Sequence, residues 1–141
     1  MRVKEILKLK GHTLFTAAPA TNVRDAVKTM ADNDIGSLVV MDHGRLIGML
    51  TFREVLQALA RNDGTLGDIG VDAILERDPL IAAPDLEVME LRRVMLERHS
   101  RYVPVMDRGT LLGVVSFHDV AKAVYEDASF ENRMLKTYIE S

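Results

Sequence analysis

The chain has 141 residues, 48% hydrophobic, 28% charged and 5% aromatic, and 18 basic against 21 acidic side chains leave a net charge of -3. That suffices for one domain, or two small ones sharing a core, and the lack of any Lys/Arg-rich run removes the electrostatic footprint of a nucleic-acid binder. The absence of cysteine excludes disulfide scaffolds, thiolate zinc sites and thiol nucleophiles, while the short apolar runs and the mixed Lys/Glu/Ile/Leu N-terminus predict neither a membrane span nor a secretory signal and place the protein in the cytoplasm.

In chain order, Val3, Ile6 and Leu7 carry the spacing of a short helix, and an extended piece follows from Thr13 to Ala18, ending at Pro19. Val23, Ala26, Val27 and Met30 predict a first full helix. Two apolar, β-branched runs, Ser37 to Met41 and Leu46 to Leu50, flank Asp-His-Gly, a hairpin signal in which Gly44 supplies positive φ. A second helix is expected from Thr51, with Phe52, Val55, Leu56 and Leu59 on one face. Arg61 to Gly70, with three glycines, reads as a linker, and Val71, Ile74 and Leu75 repeat the spacing of the N-terminal helix.

The same series then recurs. Leu80 to Ala83 is extended before Pro84, Val88, Leu91 and Met95 mark a helix, and Tyr102 to Met106 and Leu111 to Val115 flank Asp-Arg-Gly. Phe117, Val120, Ala121 and Val124 then line a helix beginning at Ser116. With an offset of 65, residues 16–60 align without a gap on residues 81–125, and about a third of the pairs are identical, including Pro19/Pro84, Met30/Met95 and Gly48/Gly113. Such self-similarity decides the architecture. The expected fold is α/β (α+β): two β-α-β-β-α modules, each too small to bury a sheet and two helices alone, packed sheet to sheet as a pseudo-two-fold pair with short N-terminal and C-terminal helices. The boundaries fall at 1–62, 63–127 and a helical tail, 128–141, with Phe130, Met134, Leu135, Tyr138 and Ile139 at helical spacing. That stripe is read as a homodimer surface.

The sites with chemical potential are the two helix starts. In Ser116-Phe117-His118-Asp119 a strand gives way to a helix, whose free N–H groups and dipole suit a phosphate. A carboxylate there can accept two charge-assisted hydrogen bonds from a ribose cis-diol. The same spacing is also nearly the capping box, which serves only the helix's own N–H groups, and Thr51-Phe52-Arg53-Glu54 fits that box literally. Ser116, His118 and Asp119 lie too close together on one helix start to form a hydrolytic triad. His12, His43, His99 and His118 lack the spacing of a helical zinc site, and neither a Walker loop nor a GxGxxG fingerprint occurs. No catalytic residue, catalytic cofactor or metal ligand is expected.

The repeat, the segments GRLIGMLTFREV (Gly44 to Val55) and GTLLGVVSFHDV (Gly109 to Val120), and HSRYVPVMD (His99 to Asp107) resemble, over nearly the whole chain, a tandem pair of cystathionine-β-synthase (CBS) domains, a Bateman module, as in stand-alone bacterial two-CBS proteins. The resemblance implies flat dimers of four CBS units that bind adenine nucleotides in clefts between modules, and that sense rather than catalyse. It places the ribose contact on Ser116 and Asp119 and, at the first copy, on Thr51 and Glu54, where the family's Asp is replaced by the longer Glu. It implies adenine walls from Thr16, Ala17 and Ala18 or Ile81, Ala82 and Ala83, and from Leu38 and Val39 or Val103 and Pro104. Arg101 is implied as a phosphate contact, with Arg53 and His118 as further cations. AMP is the first ligand expected, with ADP, ATP, NAD and S-adenosylmethionine as alternatives, and an unidentified protein partner would receive the signal. The competing expectation is a structural or oligomerisation module whose clefts stay empty.

Overall fold

The computed structural model describes residues 1–11 and 13–140, without the side chains of residues 129, 130 and 140, so that His12 and the side chain of Phe130 lie outside the described residues. Helix α1 (Val3–Lys10) precedes the first repeat, which consists of β1 (Thr16–Ala17), α2 (Val23–Asp32), β2 (Ser37–Asp42), β3 (Arg45–Thr51) and α3 (Phe52–Arg61). The second consists of α4 (Val88–Arg98), β4 (Tyr102–Asp107), β5 (Thr110–Ser116) and α5 (Phe117–Glu140). In the first, β1 runs parallel to β2, and β2 pairs with β3 as a hairpin. In the second, β4 pairs with β5, and the strand corresponding to β1 shrinks to a single parallel bridge between Ala82 and Val105.

The two hairpins are copies down to their irregularities. Each has a register shift at the same place, Val40/Met41 and Val105/Met106. Each turn holds two successive residues at positive φ, His43 and Gly44 or Arg108 and Gly109, the type I′ arrangement whose twist matches that of the strands. His43 and Arg108 thus take the left-handed conformation along with the glycines.

Packing does not follow chain order. Val3 and Ile6 of α1 are buried in the second repeat's core, with Val88, Leu91, Met95 and Val103, whereas Val71 and Leu75 are buried in the first repeat's core, with Val23, Met30, Leu38 and Leu50. The backbone bonds that dock these segments are equivalent. Val3 N–H donates to Leu86 O and Lys4 N–H to Pro84 O, both at 2.9 Å, while Val71 N–H donates to Thr21 O at 2.8 Å and Asp72 N–H to Pro19 O at 3.0 Å. Each buried aliphatic side chain contributes about 1.5–3 kcal/mol, so each core depends on a segment that lies beside the other repeat in sequence.

Two elements differ from the sequence expectation. The helix expected at Val71, Ile74 and Leu75 is only a 3-10 turn, Val71–Ala73. Glu76 leaves it to exchange backbone hydrogen bonds with Met49, at 2.8 and 2.9 Å, and Pro79 restrains the residue before it from helical angles. At the other end, no break separates the second-repeat helix from the tail. Residues 117–140 form one helix of 24 residues, because nothing between Val124 and Met134 is glycine or proline.

Candidate functional site

Both helix starts close as capping boxes. At α3, the Thr51 N–H and hydroxyl donate to Glu54 Oε1 at 2.7 and 2.8 Å, and Thr51 Oγ1 accepts from the Arg53 N–H at 3.2 Å. At α5, the Ser116 N–H donates to Asp119 Oδ2 at 2.8 Å and the Asp119 N–H to Ser116 Oγ at 3.0 Å. The surroundings of the two acids differ. Glu54 is 7% exposed and turned inward. Asp119 faces Lys10 from α1, whose Nζ lies 2.7 Å from Oδ2 and donates to Val114 O at 2.8 Å. Among the described residues, Asp119 Oδ1 accepts no hydrogen bond. Burial works to raise the Asp119 carboxyl, but Lys10 and the Ser116 N–H outweigh it and hold the group below the usual aspartate value.

Each helix start opens on a cleft completed by the other repeat. The larger, about 750 Å3, runs from Ser116, Phe117 and His118 to Phe15 and to Asp34, Ile35, Gly36 and Ser37 of the first repeat, with Leu7 and Lys10 of α1 at one side. The smaller, about 290 Å3, runs from Thr51, Phe52 and Arg53 to Leu80 and to His99, Ser100, Arg101 and Tyr102 of the second repeat. Small-molecule pockets occupy about 300–1,000 Å3, a range the larger cleft falls within and the smaller just misses. Arg101 and Tyr102 line both. Tyr102 sits edge-on to Phe52, ring centroids 6.2 Å apart, and its hydroxyl occupies the space that a side chain at position 36 would fill. Burial pushes its phenol up, with Asp119 adding to that effect and Arg101 opposing it.

The structure brings together part of the residue set expected from sequence. Ser116, His118 and Arg101 line the larger cleft, and Thr51, Arg53 and Arg101 the smaller. Asp119 stands behind Lys10 at the edge of the larger one, and Glu54 lies beneath the smaller, its carboxylate engaged by Thr51. Arg53 is held against the second repeat, Nη2 donating to His99 O at 2.6 Å. The expected adenine walls lie elsewhere. Leu38, Val39, Ala82, Val103 and Pro104 are buried in the modules, and neither they nor Thr16, Ala17 and Ile81 line either cleft. The extended segments do reach the clefts, one residue earlier, through Phe15 and Leu80, which the 65-residue offset pairs.

The residues that sequence reasoning missed are Lys10, Phe15, Ile35 and Tyr102. Aromatic residues are scarce in this chain, and Phe15, Phe52, Tyr102 and Phe117 all reach the clefts, so that scarcity was the available signal. Nothing in the spacing of α1 singles out Lys10. The smaller cleft also holds Glu76, whose carboxyl is raised by burial and then by repulsion from Glu54. Among the described residues there is no cluster of three or more His, Cys, Asp or Glu able to hold a metal, and no helix long and apolar enough to cross a membrane.

The two-repeat architecture has counterparts in known proteins. The family model described as CBS domain matches residues 3–61 and again residues 71–126. The chain belongs to the CBS domain family. Hypoxic response protein 1 of Mycobacterium tuberculosis is 35% identical to this CBS pair over 109 residues, 73% of each chain. A putative signal-transduction protein with CBS domains from Burkholderia ambifaria superposes with a TM-score of 0.84 at 30% identity, covering 90% of this chain and 96% of that one. The CBS domain pair of protein MJ0100, solved in complex with 5′-methylthioadenosine and S-adenosyl-L-methionine, superposes with a TM-score of 0.78 at 26% identity, covering 90% and 98%. The mixed α/β architecture of this CBS pair is that of these solved structures.

Proposed function

We propose that this CBS pair is a regulatory module that binds an adenine nucleotide, AMP first and ADP, ATP or NAD as alternatives, in the larger of its two clefts. The observation that carries the reading is the joint construction of that cleft. A helix start with Ser116 and Asp119 comes from one repeat, a wall from the other, and Lys10, Arg101 and His118 supply positive or protonatable groups. Phe15, Tyr102 and Phe117 supply flat apolar surface for a base. The ligands of MJ0100, both adenosine derivatives, support the same class. Regulation is favoured over turnover because, at this helix start, Ser116 Oγ accepts from the Asp119 N–H and no hydrogen bond joins it to His118 among the described residues, so Ser116 has no base aligned with it there. A ligand joining both repeats favours whichever arrangement of the pair it fits better, which is the physical basis of a sensor.

A thermal-shift panel of AMP, ADP, ATP, NAD, NADH and S-adenosylmethionine, with GMP as control, tests the reading, because a ligand that binds only the folded chain raises its melting temperature. Adenine ligands should stabilise the protein, GMP should not, and calorimetry should give one site per chain. No shift at millimolar ligand would favour a purely structural pair.

The homodimer is proposed on the tail. Met134, Leu135, Tyr138 and Ile139 are 55–80% exposed on α5, more apolar surface than an isolated helix end ordinarily leaves in water. Deleting residues 128–141 should leave the melting temperature within a few degrees while lowering the sedimenting mass from dimer to monomer. A chain that still sediments as a dimer would move the interface to the body of the pair.

A further inference from the structure

We infer that Lys10 makes the larger cleft selective for phosphorylated nucleosides, by leaving Asp119 for the ligand's phosphate when the ligand's ribose takes the carboxylate. The inference deepens the proposed function and rests on it. Lys10 ends α1, whose position is fixed by Val3 and Ile6 in the second core and by Leu7 against Gly113. From that anchor, its amine reaches Asp119 and the carbonyl of Val114, while 38% of the side chain remains open to solvent at the cleft.

Two comparisons within the molecule show that this contact does not serve the helix alone. The capping box at Thr51 and Glu54 also closes through its acid and its hydroxyl, and among the described residues no salt bridge reaches the Glu54 carboxylate, so a helix start of this kind does not require a cation. The two segments that cross between repeats correspond in sequence with an offset of 68, Val3 to Val71 and Leu7 to Leu75, which pairs Lys10 with Asp78 and Lys8 with Glu76. The paired residues carry opposite charges, and Asp78 is not among the residues lining the smaller cleft. Among the described residues, only the larger cleft has an ammonium group beside its helix-start acid.

Lys10 pairs with Asp119 at 2.7 Å. A ribose diol that donates both hydroxyl protons to the carboxylate competes with the amine for Oδ2. A nucleoside without phosphate offers the displaced ammonium nothing, whereas a nucleotide offers a dianion within reach of a four-carbon stem. The same side chain therefore opposes adenosine and favours AMP.

The test is calorimetric titration of the full chain with AMP and with adenosine, for wild type, Lys10→Met, Lys10→Gln and Lys10→Arg. Loss of one charge-assisted contact predicts about 10-fold weaker AMP binding in Lys10→Met and Lys10→Gln, with adenosine binding unchanged or tighter by about 3-fold because Asp119 is released. Lys10→Arg should keep AMP binding within about 3-fold of wild type. In the wild type, without any mutation, raising salt from about 0.05 to about 0.5 M should weaken AMP binding and not that of adenosine. Equal losses for both ligands would make Lys10 a support for the cleft wall and overturn the inference, as would AMP binding that neither the neutral variants nor salt weakens. A wild type that binds neither ligand would remove the nucleotide site itself, and the selectivity with it.

Discussion

Gly48→Ala is expected to destabilise the protein by about 3 kcal/mol or more, and its repeat partner Gly113→Ala by only about 1 kcal/mol. A Cβ at position 48 would stand 2.2 Å from the carbonyl oxygen of Glu76 and 2.5 Å from Leu75 Cδ1. That carbonyl cannot retreat, because it accepts the Met49 N–H at 2.9 Å and the Glu76 N–H returns a bond to Met49 O at 2.8 Å. Moving it would break the bridge that carries Val71 and Leu75 into the first core. At Gly113 the nearest atom, Leu7 Cδ2 at 2.9 Å, is the end of a flexible side chain that can change rotamer. Urea denaturation followed by circular dichroism measures both variants. Equal losses would show that the crossing segments are held equally loosely, and that the bridge at Glu76 adds nothing.

The same pair of glycines shows how far the sequence could be read. Pairing Gly48 with Gly113 followed from the repeat, because internal duplication leaves a signature in residue identity that survives divergence at two positions in three. The hairpins, helix starts and both capping boxes were likewise local, each written within a few consecutive residues. What approaches each glycine was not local. Val3, Ile6 and Leu7 announce an amphipathic helix, but nothing in an apolar stripe states which core receives it, and here it is the core of the more distant repeat. The cleft linings differ by one residue from the walls expected from sequence for a related reason. In β2, four consecutive residues, Ser37 to Val40, are buried, so strand alternation does not show which residues face a ligand. The contact of Lys10 with Asp119 joins residues 109 positions apart, 119 − 10, and depends on α1 reaching the second repeat.

Asp119→Ala and Glu54→Ala should separate ligand binding from helix capping. The two acids occupy equivalent places and each accepts the backbone N–H of its own helix-start residue, so either change removes a cap, with an expected loss of about 1 kcal/mol. Glu54 is almost fully buried, and its removal also leaves the Thr51 N–H and hydroxyl without their acceptor, which brings the expected loss to about 2–3 kcal/mol. Asp119 is accessible beside the larger cleft, and the Lys10 amine it releases can be solvated. Binding should show the reverse order. Losing an acceptor of two charge-assisted hydrogen bonds should weaken AMP by about 100-fold in Asp119→Ala, while Glu54→Ala should stay within about 3-fold of wild type. Acid titration gives an independent check on Asp119. Its folded value lies below the ordinary 3.8, so its contribution is fully present above that pH and is lost as pH falls through the depressed value. The stability difference between wild type and Asp119→Ala should therefore hold from neutral pH down to about pH 5 and shrink below about pH 4. A difference that stayed constant to about pH 2 would mean that the lost stability came from packing rather than from the charge that Lys10 and Ser116 hold in place.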